Sequence, residues 1–132
     1  MKLEKPETQL RIFLVLIALH SFAVGIGLIL FPPSYLEFFG FHNYNYTFFQ
    51  AQGGVFHIVM CTAYLLASKY MYQSPGLINF SVLAKAIATT FLIIYFLLVE
   101  KSWMILLSAI GDGVMAIILY ILYKRFLQSK TN

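Results

Sequence analysis

Charge is what this sequence has least of. Asp, Glu, Lys and Arg make up 11% of its 132 residues, less than half of the roughly 25% usual in soluble domains. Hydrophobic residues make up 61%, so there are too few polar groups to cover a globular surface of this size. That excludes an ordinary soluble domain and points to an integral membrane protein. A single cysteine, Cys61, excludes an internal disulfide and any multi-cysteine metal site; set in an apolar stretch, it reads as a small core residue. The sequence has no phosphate-cradling glycine motif, no histidine pair at metal-binding helical spacing and no nucleophile elbow. The net charge of +4 suggests no nucleic-acid partner, because the basic residues gather near the chain ends instead of forming a stripe.

What the sequence does have is apolar length. Four runs reach the roughly 20 residues needed to cross a bilayer: about 12–31, 48–68, 77–99 and 103–123. None contains proline. Backbone groups in lipid must be satisfied within their own segment, so the runs are predicted to be helices. The expected fold is all-α, one polytopic domain over residues 1–132: an antiparallel four-helix transmembrane bundle with a short interfacial helix after the first span. The first run also resembles a signal peptide, with Lys2, Lys5 and Arg11 as a basic leader and "SFA" as a cleavage site. It continues through "VGIGLILF" to full membrane length, which favours a retained span.

Lys2, Lys5, Arg11, Lys69, Lys124, Arg125 and Lys130 fall on one side of this arrangement and only Lys101 on the other. The positive-inside rule then puts both termini in the cytoplasm, with the lipid bilayer of a bacterial cytoplasmic membrane as the first partner. Tyr35, Tyr44, Tyr46 and Trp103 would mark one interface, and Tyr70, Tyr72, Tyr120 and Tyr123 the other. In "PPSYLEFFGF" the prolines stop the first span. Ser34 is expected to cap a short helix with Glu37 completing a capping box, a structural role for that acid, and Gly40 to end it. An Asn45-Tyr46-Thr47 glycosylation sequon follows.

One stretch breaks the apolar pattern. "SAIGDGVMAII" places Asp112 in the fourth run, about 14 Å deep at 1.5 Å per residue. Lys85 lies at comparable depth in the third run, His20 in the first and His57 in the second, so each span brings one ionisable residue to the midplane. An isolated charge there costs about 2.5–3.5 kcal/mol. The third and fourth spans are joined by a short connection and must be neighbours, so Lys85 and Asp112 are expected to pair. Lys85 snorkelling toward the cytoplasm, or a pair serving only helix register, are the alternatives. The histidines could equally be core residues bonded to a neighbour. On the second span Gln50, Gly53 or Gly54, His57, Cys61 and Tyr64 recur at helical spacing, with Gln52 pointing elsewhere. Ser108, Asp112 and Ala116 share a face of the fourth, and Ser81, Lys85, Ala88 and Thr89 one of the third. The candidate cluster, ligand-binding or structural, is therefore His20, Gln50, His57, Lys85 and Asp112; no catalytic residue and no metal site is indicated. Small residues on these faces also suit close helix packing. "AVGIG" and "AIGDG" share an A-x-G-x-G pattern on oppositely running spans, as a relic of an inverted repeat would.

The stretches "FPPSYLEFFGF", "QGGVFHIVMCTAYLLA" and "IGDGVMAIILYIL" resemble the DoxX-like group of small bacterial four-helix membrane proteins. The resemblance covers most of the chain. It implies a four-helix membrane fold and, through some members of the wider group, a link to quinone-coupled oxidation of sulfur compounds. No sharp family motif is matched, so no catalytic residue is carried over.

Three functions fit these residues, and whether the protein is an enzyme is left open. The first is a non-enzymatic component that binds a small or lipophilic ligand in a polar pocket, or an accessory subunit of a larger complex or homo-oligomer. It requires no cofactor. The second is a redox subunit handling quinone or b-type haem, with His20 and His57 as axial ligands and Gly53 and Gly54 making room for the macrocycle. The third is a proton-coupled transporter or channel subunit, in which histidines titrating near neutral pH relay protons.

Overall fold

A computed structural model describes residues 5–41 and 47–131; most of these are helical, with no strand among them. The helices are α1 (Pro6–Leu30), α2 (Pro33–Phe38), α3 (Thr47–Lys69), α4 (Pro75–Leu98) and α5 (Trp103–Thr131). Four of them, all but α2, are long and apolar enough to cross a membrane. Lys2, Tyr44, Asn45 and Tyr46, named above for topology, interface or sequon, lie outside the described residues.

Prolines set where helices begin. Pro6, Pro33 and Pro75 each stand in the first turn of a helix, where the missing N–H costs nothing and the fixed φ is already helical. This corrects the expected capping box. Helix α2 already starts at Pro33, its N-cap is Pro32, and no side chain caps it; Ser34 is thus inside the first turn. Its end follows expectation: Gly40 has φ 85°, its N–H donates to the Glu37 carbonyl and that of Phe41 to the Leu36 carbonyl, the paired bonds of a Schellman ending that needs the left-handed region. Helices α1 and α5 run beyond the apolar stretches, to Pro6 and Thr131. A helix need not stop where its hydrophobicity does.

Helix α1 packs along α3 and α4 along α5, and the pairs are joined where α1 meets α5 and α3 meets α4. The α1–α3 contact turns on two glycines. A Cβ on Gly25 would stand 2.8 Å from the Gly54 carbonyl oxygen, and one on Gly54 2.7 Å from that of Gly25. The two A-x-G-x-G copies are not used alike. Gly25 carries that crossing, whereas a Cβ on its counterpart Gly111 would meet no other part of the protein within 4 Å.

The hydrophobic core occupies one end of the molecule. It comprises Leu10, Leu14, Ile17 and Ala18 of α1, Tyr64, Ala67 and Met71 of α3 and its following turn, Ile78 of α4, and Leu119, Tyr123 and Phe126 of α5. The start of α1, the α3–α4 connection and the end of α5 meet here. Tyr72 donates to Glu7 Oε2, Glu7 pairs with Arg11 at 3.1 Å, Ser68 donates to the Arg11 carbonyl, and the Lys130 ammonium sits 4.2 Å from the centre of the Tyr72 ring. We call this the terminal end. At the opposite end Ser102 donates to the Phe39 carbonyl at 2.8 Å and Trp103 lies against Phe39, tying the α2 turn to the start of α5.

The Tyr72 hydroxyl, held by the Glu7 carboxylate, ionises above its ordinary value near 10. The raised value means that the protonated phenol is the form the fold favours, so its contribution is complete below pH 10 and is lost as the phenol ionises. The absorbance titration of the protein minus that of Tyr72→Phe is expected to place this phenol above pH 10, and Glu7→Gln to bring it back. An unchanged titration in Glu7→Gln would show that the bond is not formed in solution.

Outside the core, large apolar side chains face outward along every long helix: Leu16, Leu19, Phe56, Val59, Leu83, Ile87, Phe91, Ile110 and Ile117 are among them. Soluble monomers rarely expose apolar patches beyond a few hundred Å². The long apolar helices together with this surface suggest an integral membrane protein.

Candidate functional site

Lys85 and Asp112 form an ion pair, Nζ to Oδ1 at 2.5 Å, with side-chain exposures of 4% and 13%. Helices α4 and α5 bring them together across the short connection 99–102. Lys85 does not snorkel. Its ammonium also lies 5.8 Å from the centre of the Tyr64 ring, close enough for a cation–π contact. Thr89 and Ser81 add nothing to the pair: their hydroxyls donate to the carbonyls of Lys85 and Leu77 in their own helix, the usual way hydroxyl residues are satisfied within a helix.

The other candidates are placed unequally. His57 is half-buried on α3 and His20 is exposed on α1. Both lie within electrostatic range of Lys85 and Asp112, and of each other. Gln50 is not part of this cluster. It lies seven residues before His57, about 10 Å along the helix axis, and its Nε2 donates to the Phe31 carbonyl at 2.8 Å. There it closes the end of α1, and its buried Oε1 has no hydrogen-bond partner. Gln52 is exposed and borders an open groove with His57, Gly53, Phe49, Phe56 and Leu28. Cys61 is half-buried.

Sequence reasoning missed Ser21, which is 1% exposed on the core face of α1. The seven-residue step from Leu14 was the signal for it. Gly54, a possible source of room for a macrocycle, touches the α1 backbone instead. Among the described residues no group of three or more His, Cys, Asp or Glu side chains is placed to hold a metal ion.

Chemically, the arrangement offers a charge pair of zero net charge with the His57 imidazole within electrostatic range of it. Comparison with known proteins adds no further constraint: no family model, curated protein or solved structure matches this chain.

Proposed function

We propose that this chain is a DoxX-like integral membrane protein, an antiparallel four-helix bundle of the bacterial cytoplasmic membrane, that binds a small lipophilic ligand beside Lys85 and Asp112. Helix α2 lies at the outer interface and both termini are cytoplasmic. Supporting that orientation, Lys5, Arg11, Lys69, Lys124, Arg125 and Lys130 gather at the terminal end while Lys101 stands at the other.

The observation that carries the ligand reading is the lopsided burial of the ion pair. A pair serving only helix register would be sealed on all sides. Here Lys85 is closed in while Asp112 keeps 13% of its side chain exposed, and His57, within electrostatic range of the pair, is half-buried. Ionisable residues at membrane depth are costly and mark functional sites by default.

Protein extracted gently into nanodiscs should carry a small lipophilic molecule visible by native mass spectrometry. Asp112→Asn should lose it while remaining helical and monodisperse. If wild-type and variant preparations carry the same small molecules, or none, the reading fails.

A further inference from the structure

The four core stripes do not end together. On α1, Leu10, Leu14, Ile17 and Ser21 are buried, but Val24 and Leu28, next on the same stripe, are half-exposed. On α3 the stripe runs back from Met71, Ala67 and Tyr64, all buried, to Met60, His57 and Gly53, all half-exposed. On α4, Ile78, Ser81 and Lys85 are buried and Ala88, Leu92 and Phe96 are half-exposed. Only α5 keeps its stripe buried toward the α2 end, through Ala109 and Ile105. Past the Lys85–Asp112 layer, burial on α1 and α3 persists where these two helices meet, at Gly25, Gly54 and Gln50, and is lost on the stripes just named, as it is on α4.

We propose that the two helix pairs part above this layer, forming a cleft open toward the α2 end, with the ion pair as its floor, that takes a neutral amphiphile with a hydroxyl head. This rests on the ligand reading above and adds the place of binding and the chemistry of the ligand. The groove lined by Leu28, Phe49, Gln52, Gly53, Phe56 and His57 is its α1–α3 wall. Tyr64, whose ring centre lies 5.8 Å from the Lys85 ammonium, and His57 are seven residues apart on the same face of α3, so this wall leads down to the pair.

The lining selects the occupant. Phe49, Phe56 and Leu28 suit an apolar body. At the floor, Asp112 Oδ1 accepts from Lys85, and the carboxylate keeps 13% of its side chain exposed, which leaves acceptor capacity for a hydroxyl proton. Lys85 and Asp112 already cancel, so a charged head would leave a net charge at membrane depth, a cost of about 2.5–3.5 kcal/mol on the insertion scale. A neutral donor avoids that cost.

Gly53 provides a variant that tests the cleft without disturbing the fold. A Cβ there would meet only Leu28 Cδ1, at 3.9 Å, so Gly53→Leu fills the groove and not a helix contact. Three diazirine probes with the same long alkyl chain, ending in a hydroxyl, a carboxylate or a trimethylammonium group, are photolysed with the full chain in nanodiscs. Adducts are mapped by peptide mass spectrometry. The alcohol should label residues 49–57 most strongly. Gly53→Leu should abolish that labelling, and Asp112→Asn should reduce it about tenfold, the loss of one hydrogen bond to a charged group. Labelling in this stretch that favours the carboxylate or ammonium probe overturns the head-group assignment and leaves the ligand reading intact. Alcohol labelling that survives Gly53→Leu overturns the cleft. If no probe labels residues 49–57 although native ligand depends on Asp112, the cleft falls and the ligand reading stands; if neither is seen, both fall.

Discussion

Asp112→Ala and Lys85→Ala are each expected to destabilise the bundle by about 3–5 kcal/mol, the range for leaving one partner of a buried ion pair uncompensated. Asp112→Ala should be the worse of the two. It orphans the ammonium, which is 4% exposed, whereas Lys85→Ala orphans a carboxylate that is 13% exposed. The Tyr64 ring 5.8 Å away offsets part of the ammonium's loss, but a cation–π contact is worth only about 0.5–2 kcal/mol. Replacing both residues with leucine removes the desolvation cost together with the attraction, and such replacements are often neutral or stabilising by about 1–4 kcal/mol. The double variant should therefore lie close to wild type and well above either single one. Denaturant titration of the four proteins in mixed micelles, followed by circular dichroism, measures all three differences. Equal stability in the wild type and both single variants would show that the charges do not meet in the folded protein. The double variant also separates structure from function. If the pair serves only helix register, leucines should retain the co-purifying ligand; on the reading proposed here they lose it while the fold persists.

The sequence was most legible where a rule acts on one residue at a time. Apolar length located the long helices, because lipid leaves the backbone no alternative. Lys85 and Asp112 were legible as partners because a connection of a few residues makes α4 and α5 neighbours and an unpaired charge at that depth is costly. Other features depend on how far apart the helices stand, which no single residue states. The α3 stripe looks uniform as sequence from Met71 to Gly53, yet its burial changes past Tyr64, because that depends on where α4 lies. Gln50 read as a member of the polar stripe, and only the position of α1 shows that its partner is the Phe31 carbonyl. Ser34 was misjudged for a local reason: serine is a good N-cap, but a second proline before it had already begun the helix.

The glycines carry the second large effect, with a sign that differs from one to the next. An alanine in place of glycine inside a helix normally gains about 0.5–1 kcal/mol from reduced backbone freedom in the unfolded chain. Gly111 and Gly76 have nothing within 4 Å of a new Cβ, and Gly53 only Leu28 at 3.9 Å, so alanine at these positions should be neutral or stabilising. At Gly25 and Gly54 the new carbon would lie 2.8 and 2.7 Å from a backbone oxygen of the facing helix. A backbone cannot turn aside as a side chain can, so α1 and α3 must separate. Overpacking of this kind costs about 1–3 kcal/mol, and separation also strains the Gln50 bond to Phe31 near the same crossing. Gly25→Ala and Gly54→Ala should each therefore lower the unfolding midpoint, while Gly53→Ala, one residue away, should not. The Gly25→Ala, Gly54→Ala double variant should cost less than the sum of the two, because one forced separation makes room for both methyl groups. Strict additivity would mean that the two glycines act at separate contacts, contrary to their meeting across one crossing. A midpoint unchanged by either single substitution would place α1 and α3 farther apart than described here, and with them the wall of the cleft.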